Sequence, residues 1–292
     1  MHQTIFKIPF FGGNTITIYS YGTTIVLAFL LAAWWTKRSA SKALGISEER
    51  VFNVAFVLLF LGLAGARLAY SFAHFDEFAK SPGSFLAIWK GGLVGYGGLV
   101  LAAGWLSRYL PRHAQPGGWI EGNGWSVLDY LTRGAALAFA LGWIAPLLAG
   151  DDYGKVTTSP LGIPVTAFEN DTPVHDLVRK DGLDVTTAKI HPVQVYESLF
   201  ALALFGALAL YAKWRPVPGR IAALFFLVHP VGHALLDLFR GDVKRGFVIP
   251  GALSWSQFLA IPVFFVGVAI WLIRKPGHES HVRPHPRVES VS

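Results

Sequence analysis

Residues 191–197 read His-Pro-Val-Gln-Val-Tyr-Glu and lead directly into a long apolar run, residues 198–211. The proline suits a first helical position, where its missing N–H would have no partner in any case. This places His191 at the helix cap and puts Gln194 and Glu197 on one helix face. An amide and a carboxylate are costly inside an apolar span unless they face a bundle interior or a wet cavity. The stretch therefore predicts either a helix start with a polar collar or a polar site at the mouth of a membrane bundle.

The composition indicates a membrane protein. Of the 292 residues, 53% are hydrophobic and only 15% are charged, whereas soluble chains carry roughly 25% charged residues. Apolar runs of about 20 residues, each long enough to cross a bilayer, recur along the chain. We find seven, near 16–36, 51–73, 92–110, 126–149, 193–213, 219–239 and 252–273. The sequence therefore predicts an all-α integral membrane protein with about seven transmembrane helices.

Two segments lie outside the predicted spans. Residues 151–190 are polar and net acidic, and they are too few for an independent domain. We expect them to form a small periplasmic head within a transmembrane domain of residues 1–275. Residues 276–292 have the composition of a disordered tail, which we expect in the cytoplasm. Residues 15–18 alternate in polarity and predict a short strand before the first helix.

Several classes of site and partner are disfavoured. The chain has no cysteine, which excludes disulfides, thiol catalysis and zinc–thiolate sites in this protein. Its net charge of +7 is explained in a membrane protein by basic cytoplasmic loops, so we expect the lipid bilayer as a partner and no nucleic acid. His229, His233 and Asp237 follow one another along one helix face, but a metal site needs ligands from elsewhere as well. We expect no metal and no other cofactor.

Loop charges predict the orientation of the spans, because cytoplasmic loops carry an excess of lysine and arginine. With the N-terminus outside, the inner loops and the tail contain Lys37, Arg38, Lys42, Arg50, Arg108, Arg112, Lys213, Arg215, Arg220, Arg274, Lys275, Arg283 and Arg287. The short outer loops contain fewer such residues. We therefore expect a periplasmic N-terminus and a cytoplasmic C-terminus.

In this orientation, polar side chains from five predicted spans fall at one depth, in the outer half of the membrane. They are Tyr21, Arg67, Tyr70, Tyr96, Gln194, Glu197, His233, Asp237 and Arg240. Snorkelling is an alternative for Arg67 alone, but a shared cavity better explains five helices with polar groups at one depth. Arginines there suit an anionic phospholipid headgroup, because a guanidinium can bind phosphate through two parallel hydrogen bonds.

On these residues the chain resembles prolipoprotein diacylglyceryl transferases over most of residues 16–273. The motifs that carry the resemblance are Tyr21-Gly22, Gly65-x-Arg67-x-x-Tyr70, Trp89-x-Gly91-Gly92, Gly97-Gly98-Leu99, His191-Pro192-x-Gln194-x-Tyr196-Glu197 and Asp237-x-x-Arg240. The resemblance implies a seven-span protein of the bacterial inner membrane. It also implies transfer of a diacylglyceryl group from phosphatidylglycerol to the lipobox cysteine of secreted preproteins, with glycerol phosphate as the leaving group.

The chain departs from the family pattern at several motif positions. Tyr96 stands where the family usually has histidine, Trp143 and Pro146 replace the arginine and asparagine of the span-four hallmark, and His233 and Asp237 replace arginine and glutamate, while Gly142, Asp151 and Gly154 keep the pattern. Two functions remain open: a transferase with a remodelled site, and a non-catalytic member that binds anionic phospholipid or lipoprotein precursor. A small transporter is a third alternative, but the sequence has no internal repeat of the kind transporters show.

The implied reaction needs donors that stabilise charge on the leaving phosphate and a base for the thiol. Arg67 and Arg240 suit the first task. Tyr96, Glu197, His233 and Asp237 are the catalytic candidates for the second, and His233 is favoured because histidine titrates near neutral pH. The remaining predicted substrate-binding residues are Tyr21, Tyr70, Gly97, Gly98, Gly154, His191 and Gln194.

The orientation is testable because the chain has no native cysteine. A cysteine introduced at Asp171, in the predicted head, should react with a membrane-impermeant maleimide in intact spheroplasts. A cysteine at Arg112, in a predicted inner loop, should react only after the membrane is permeabilised. Labelling at position 112 without labelling at 171 would invert the orientation.

Overall fold

The computed structural model describes residues 4–9, 15–73, 75, 79, 83, 85, 95–168, 172–214, 216–242 and 246–274. Long helices coincide with all seven predicted spans. The described helices are α1 (Ser20–Leu44), α2 (Glu48–Ala73), α3 (Gly95–His113), α4 (Gly124–Gly142), α5 (Ile144–Ala149), α6 (Pro173–Lys180), α7 (Val193–Ala212), α8 (Arg220–Leu236) and α9 (Trp255–Ile273). The longest has 26 residues.

Five of these segments are long and apolar enough to cross a bilayer. They are α2, α4 together with α5, α7, α8 with the residues that follow it, and α9. The structure thus confirms a mostly helical protein with helices able to span a membrane. Membrane crossing by α1 and α3, and with it the count of seven, stays a prediction.

The strands are short and form two-stranded antiparallel pairs. β1 (Thr4–Pro9) pairs with β2 (Thr15–Tyr19) immediately before α1, which confirms the strand predicted at residues 15–18. In the polar segment, β3 (Ile163–Pro164) pairs with β4 (Lys189–Ile190). The last pair, β5 (Phe247–Ile249) and β6 (Leu253–Ser254), precedes α9.

The predicted start of α7 is one residue early. The helix begins at Val193, and Pro192 is its N-cap with φ −77° and ψ 67°. The carbonyl of Pro192 accepts hydrogen bonds from the N–H groups of Val195 and Tyr196. His191 therefore lies outside the helix, and the prediction that it caps α7 is wrong.

The predicted continuous span at 126–149 is interrupted. α4 ends at Gly142, Trp143 makes a turn, and α5 begins at Ile144. Pro146 explains the interruption, because a proline cannot donate to the carbonyl four residues earlier and its ring crowds that carbonyl. Gly150 then ends α5 in the left-handed conformation, with φ 72°.

The chain forms two compact units. Of the described residues, those within Met1–Ala32 and Thr132–Lys275 form the first unit, and those within Ala33–Leu131 form the second. The first unit contains the polar segment and helices α5 to α9. The second contains α2 and α3.

The first unit has two buried apolar clusters. The polar segment folds around one of them, formed by Tyr153, Val165, Phe168, Val174, Val178, Ala188 and Ile190. The other cluster joins α4, α7 and α8 through Ala136, Leu204, Leu208, Ile221 and Phe225. Because Ile190 belongs to the first cluster and lies three residues before the start of α7, the core of the polar segment anchors the chain where that helix begins.

In the second unit, α2 and α3 cross at glycines. A Cβ atom added at Gly65 would overlap the backbone of Gly97, and one added at Gly98 would overlap the backbone of Gly62. Small residues at such positions let helix backbones approach closely. Gly97 and Gly98 therefore have a packing role that the sequence analysis did not assign to them, and their predicted substrate contacts stay a prediction.

Gly98→Ala should destabilise the protein, because the added methyl would meet the carbonyl of Gly62 and overpacking typically costs about 1–3 kcal/mol. Gly104→Ala on the same helix is the matched control, since nothing lies within 4 Å of a Cβ there. That control should be neutral or slightly stabilising, because alanine favours helix over glycine. Thermal unfolding of both variants in detergent would measure the difference. Equal midpoints for the two variants would contradict the close crossing.

Candidate functional site

A carboxylate–imidazole pair joins α7 to α8 in the first unit. His233 Nδ1 lies 2.7 Å from Glu197 Oε1. Glu197 is almost fully buried, whereas 16% of the His233 side chain is exposed. When Nδ1–H donates to the carboxylate, Nε2 is left as an acceptor that can take a proton. The sequence analysis selected both residues, and the structure shows that they are bonded to each other.

Two contacts hold α7 at the distance this pair requires. Gly232, next to His233, faces the ring of Phe200, and a Cβ at Gly232 would overlap that ring. The second contact is a hydrogen bond: the Ser198 hydroxyl donates to the carbonyl of Ala140 at 2.6 Å and connects α7 to α4. Glycine at position 232 therefore lets α8 approach α7 closely enough for the 2.7 Å bond to form.

His233 also has aromatic neighbours. Its ring centroid lies 6.1 Å from that of His229, with the planes 13° apart, and 6.1 Å from that of Trp143, with the planes 42° apart. The His229 ring in turn stacks on Phe139 and Phe225. The predicted shared face of the two histidines is thus confirmed. Among the residues that the structure describes, no group of three or more His, Cys, Asp or Glu side chains is arranged to hold a metal ion.

Asp237 is bonded to the start of α9. The Ser254 hydroxyl donates to Asp237 Oδ2 at 2.6 Å and accepts the N–H of Gln257 at 3.1 Å. Gln257 Oε1 accepts the N–H of Ser254 in return, which completes a capping box. Ser254 is not among the residues predicted above, although the Ser-x-x-Gln spacing is the signature of this cap. A catalytic role for Asp237 stays a prediction beside this observed structural one.

Arg240 faces three carboxylates. Its Nε and Nη2 donate to the two oxygens of Asp242 at 2.8 and 2.7 Å. Nη2 also donates to Asp152 Oδ1 at 2.5 Å, and Nε lies 3.8 Å from Asp237 Oδ1. Burial alone would lower the pKa of Arg240, but the bonds to Asp242 and the charge of Asp152 raise it overall. A phosphate at this guanidinium would therefore compete with carboxylates already bonded to it.

The segment 151–155 lies between the start of α7 and the end of α8 and is hydrogen-bonded to both. Gln194 Nε2 donates to the carbonyl of Asp151 at 2.6 Å, and the N–H of Lys155 donates to the carbonyl of Phe239 at 2.8 Å. Gly154 lies so close to His191 that a Cβ would overlap its backbone. Gly154 is therefore required by packing, independently of its predicted contact with substrate.

Gln194 has a second notable feature. It is 1% exposed, and no donor among the described residues reaches its Oε1. Buried polar atoms normally have a partner, so this oxygen is available to a bound hydroxyl or amide. The predicted shared buried face of Gln194 and Glu197 is confirmed, since each is 1% exposed.

Two more predicted site residues lie near the ends of the helices. His191 Nδ1 is 3.3 Å from the Tyr196 hydroxyl, and its ring contacts that of Phe239 at 5.2 Å. Tyr21 occupies the first turn of α1 and is 43% exposed. These positions neither add to the Glu197–His233 pair nor exclude a contact with substrate, so both roles stay predictions.

In the second unit, Arg67 is 5% exposed. Its Nε donates to the carbonyl of Phe85 at 2.9 Å, and its guanidinium carbon lies 5.5 Å from the centre of the Tyr70 ring. Arg67 and Tyr70 therefore lie on the same face of α2. The side chain of Tyr96 and the whole motif at 89–92 lie outside the described residues, and the shared outer cavity stays a prediction.

A cavity of about 260 Å³ opens beside the Arg240 cluster. Its lining comprises Lys155, Val156, Leu177, Asp181, Arg240, Gly241, Asp242, Phe247 and Gly251. Of the residues predicted for the site, Arg240 is the one found in this lining, so the cavity belongs to the polar segment and not to the Glu197–His233 pair.

Asp152 is held in an unusual state. Its φ of 51° is positive, a conformation that aspartate tolerates better than most residues. Burial raises the pKa of Asp152 to about 6; Arg240 opposes this rise, and Asp151 and Asp242 add to it. Desolvation and ion pairing thus act in opposite directions on this carboxyl group, and desolvation is the larger effect.

The pH dependence of stability should reveal this balance. An unfolded aspartate titrates near 3.9, so between about pH 4 and pH 6 the folded protein holds a proton at Asp152 that the unfolded chain releases. Relative to Asp152→Asn, the wild type should therefore lose about 1–3 kcal/mol of stability as the pH rises through this range.

Thermal unfolding of both proteins in detergent from pH 4 to 7 would measure this effect. Asp176→Asn is the control, since Asp176 forms an exposed pair with Arg179 and such pairs contribute little. A wild type that gains stability over Asp152→Asn with rising pH would mean that the bond to Arg240 dominates.

Comparison with known proteins gives a consistent match over this fold. Residues 8–273 match the family model of prolipoprotein diacylglyceryl transferase. The chain is 30% identical to the phosphatidylglycerol–prolipoprotein diacylglyceryl transferase of Clostridium tetani, over 88% of this chain and 94% of that protein. It is 28% identical to transferase 2 of Clostridium perfringens over 89% and 92%, and 26% identical to that of Legionella pneumophila strain Philadelphia 1 over 91% and 96%.

Proposed function

The chain belongs to the prolipoprotein diacylglyceryl transferase family, and we propose that it transfers a diacylglyceryl group from phosphatidylglycerol to the lipobox cysteine of prolipoproteins. The observation that carries the assignment of a base is the 2.7 Å bond between buried Glu197 and the partly exposed His233. Glycerol phosphate is the second product. The activity is that of a transferase in bacterial lipoprotein maturation.

The chemistry follows from the pair. The substrate thiol gives its proton to Nε2 of His233. Its sulfur then attacks the carbon of the diacylglyceryl group that is bonded to the phosphate oxygen. The new C–S bond forms as the C–O bond breaks, and the electron pair leaves with the phosphate oxygen. Glu197 keeps Nδ1 protonated and directed away from the substrate, and it stabilises the imidazolium that forms.

The leaving phosphate needs cationic donors and the headgroup needs acceptors. We assign Arg67 and Arg240 to the phosphate, with Arg240 exchanging a carboxylate for it, and the imidazolium of His233 can return its proton to the leaving oxygen. Oε1 of Gln194, which no donor among the described residues reaches, is suited to accept a hydrogen bond from a hydroxyl of the glycerol headgroup. Tyr96 and Asp237 complete the catalytic set, and Tyr21, Tyr70, Gly97, Gly98, Gly154 and His191 surround the bound lipid.

The membrane setting is part of the proposal. We place seven spans in the bacterial inner membrane, with residues 1–275 as the transmembrane domain and the head at 151–190 in the periplasm, where prolipoproteins are presented. The tail at 276–292 lies in the cytoplasm. The loop charges support this orientation, and the reaction as written needs no cofactor.

His233→Ala should abolish transfer, because a positioned general base typically contributes about 10²–10⁴-fold. Purified protein would be given phosphatidylglycerol vesicles and a lipobox peptide, and the thioether product would be detected by mass. His113→Ala, at the end of α3, is the matched histidine control and should keep wild-type activity. Glu197→Gln should give a partial loss, since the amide can still accept a hydrogen bond but cannot balance an imidazolium.

Complementation of cells depleted of their own transferase extends this test. Rescue by the wild type and by His233→Ala alike would contradict the assigned base. No rescue by either, with the protein in the membrane and binding phosphatidylglycerol, would instead support a lapsed family member that binds lipid or precursor. The observation that favours this second function is that the guanidinium of Arg240 is already bonded to both oxygens of Asp242, which leaves it less able to bind a leaving phosphate.

A further inference from the structure

Trp143 lies at the interruption between α4 and α5, and its indole contacts the imidazole of His233. The two ring centroids are 6.1 Å apart, with the planes at 42°. This separation falls within the roughly 4.5–7 Å typical of interacting aromatic pairs. The same imidazole is bonded through Nδ1 to Glu197, so the hydrogen bond and the ring contact act on one side chain.

We propose that Trp143 is a positioning residue for the transfer reaction: its indole fixes the plane of the His233 imidazole so that Nε2 faces the substrate thiol. The inference rests on the transferase function proposed above. It assigns to Trp143 a role that acts through His233 and involves no contact with the reacting atoms.

A hydrogen bond to Glu197 alone does not fix the imidazole. It holds Nδ1, but it leaves the ring free to turn about the axis of that bond, and this rotation moves Nε2. A neighbouring ring restricts the rotation because the two planes must stay in contact. A misplacement of about 1 Å can reduce a rate on the order of 10²-fold, so the orientation of Nε2 matters for catalysis.

The backbone at Trp143 is fixed in place. The N–H of Trp143 donates to the carbonyl of Phe139 at 3.0 Å, and the residue itself has helical angles, φ −65° and ψ −12°. Pro146 then prevents α4 from continuing through this point. The tryptophan is therefore placed by the interruption of the helix and not by a flexible loop.

Charge explains why an aromatic residue suits position 143. When His233 accepts a proton it becomes a cation, and cations are stabilised beside the face of an indole. An arginine at 143 would place a like charge beside that imidazolium and oppose proton uptake. Trp143 and His233 are thus matched to each other: the base at 233 works best with an uncharged aromatic neighbour.

The test compares four variants in the transfer assay. Trp143→Leu removes the ring and should lower kcat about 10–100-fold, with KM for phosphatidylglycerol within twofold of the wild type. Trp143→Phe keeps a ring and should restore most of kcat, whereas Trp143→Arg should behave like Trp143→Leu. Phe139→Leu is the matched control, since its ring lies on the same helix but stacks on His229, and it should keep wild-type kcat.

A second readout does not depend on turnover. In protein with ¹⁵N-labelled histidine, the NMR signals absent from His233→Ala identify this residue. The signal of its hydrogen-bonded Nδ1–H should be sharp in the wild type and in Trp143→Phe, and broadened or lost in Trp143→Leu.

The two readouts separate the proposals. A wild type that transfers no lipid would overturn the proposed function, while the histidine spectra would still decide the positioning role. An unchanged kcat together with an unchanged His233 signal in Trp143→Leu would overturn the inference about Trp143. A higher KM for phosphatidylglycerol in Trp143→Leu, with unchanged kcat, would also overturn it, because Trp143 would then contribute to lipid binding instead.

Discussion

A carboxylate within a helix that can cross a bilayer must be paired, and the bond between Glu197 and His233 meets this requirement across α7 and α8. Leaving such a group buried and unpaired is costly, so the constraint reaches well beyond the two residues. Glycine at position 232 favours the close approach of the helices, because a Cβ there would meet the ring of Phe200. The start of α7 has to be fixed by the core of the polar segment, since Glu197 would otherwise turn away from its partner.

Around Arg240 the same principle takes a different form. One guanidinium is shared among three carboxylates, and burial raises the pKa of Asp152 to about 6. This cluster joins the segment at 151–155 to the end of α8. If a substrate phosphate binds here as proposed, it would displace an existing partner, and lipid binding would then be linked to the anchoring of this segment through one side chain.

Two of the departures from the family pattern, Trp143 and His233, are neighbours in the structure. Where arginine is expected at positions 143 and 233, the chain has Trp143 and His233, and the structure places these two rings in contact. Replacing two cations by an indole and an imidazole removes charge from the site but adds a group able to accept a proton beside Glu197. In the proposed reaction, phosphate stabilisation is assigned to Arg67 and to Arg240, whose guanidinium would first have to release a carboxylate.

The sequence by itself determined the class of protein, the position of the long helices and the family, because each depends on local composition and on motifs of adjacent residues. It also identified Glu197 and His233 singly, since ionisable groups in apolar spans stand out. It erred at His191, where the local proline signal was one residue out of place, and it could not find the Asp152–Arg240 bond between residues 88 positions apart. Only the tertiary structure decided which partner each buried charge has, because desolvation forces pairing but leaves the choice of partner to whichever side chains packing brings together.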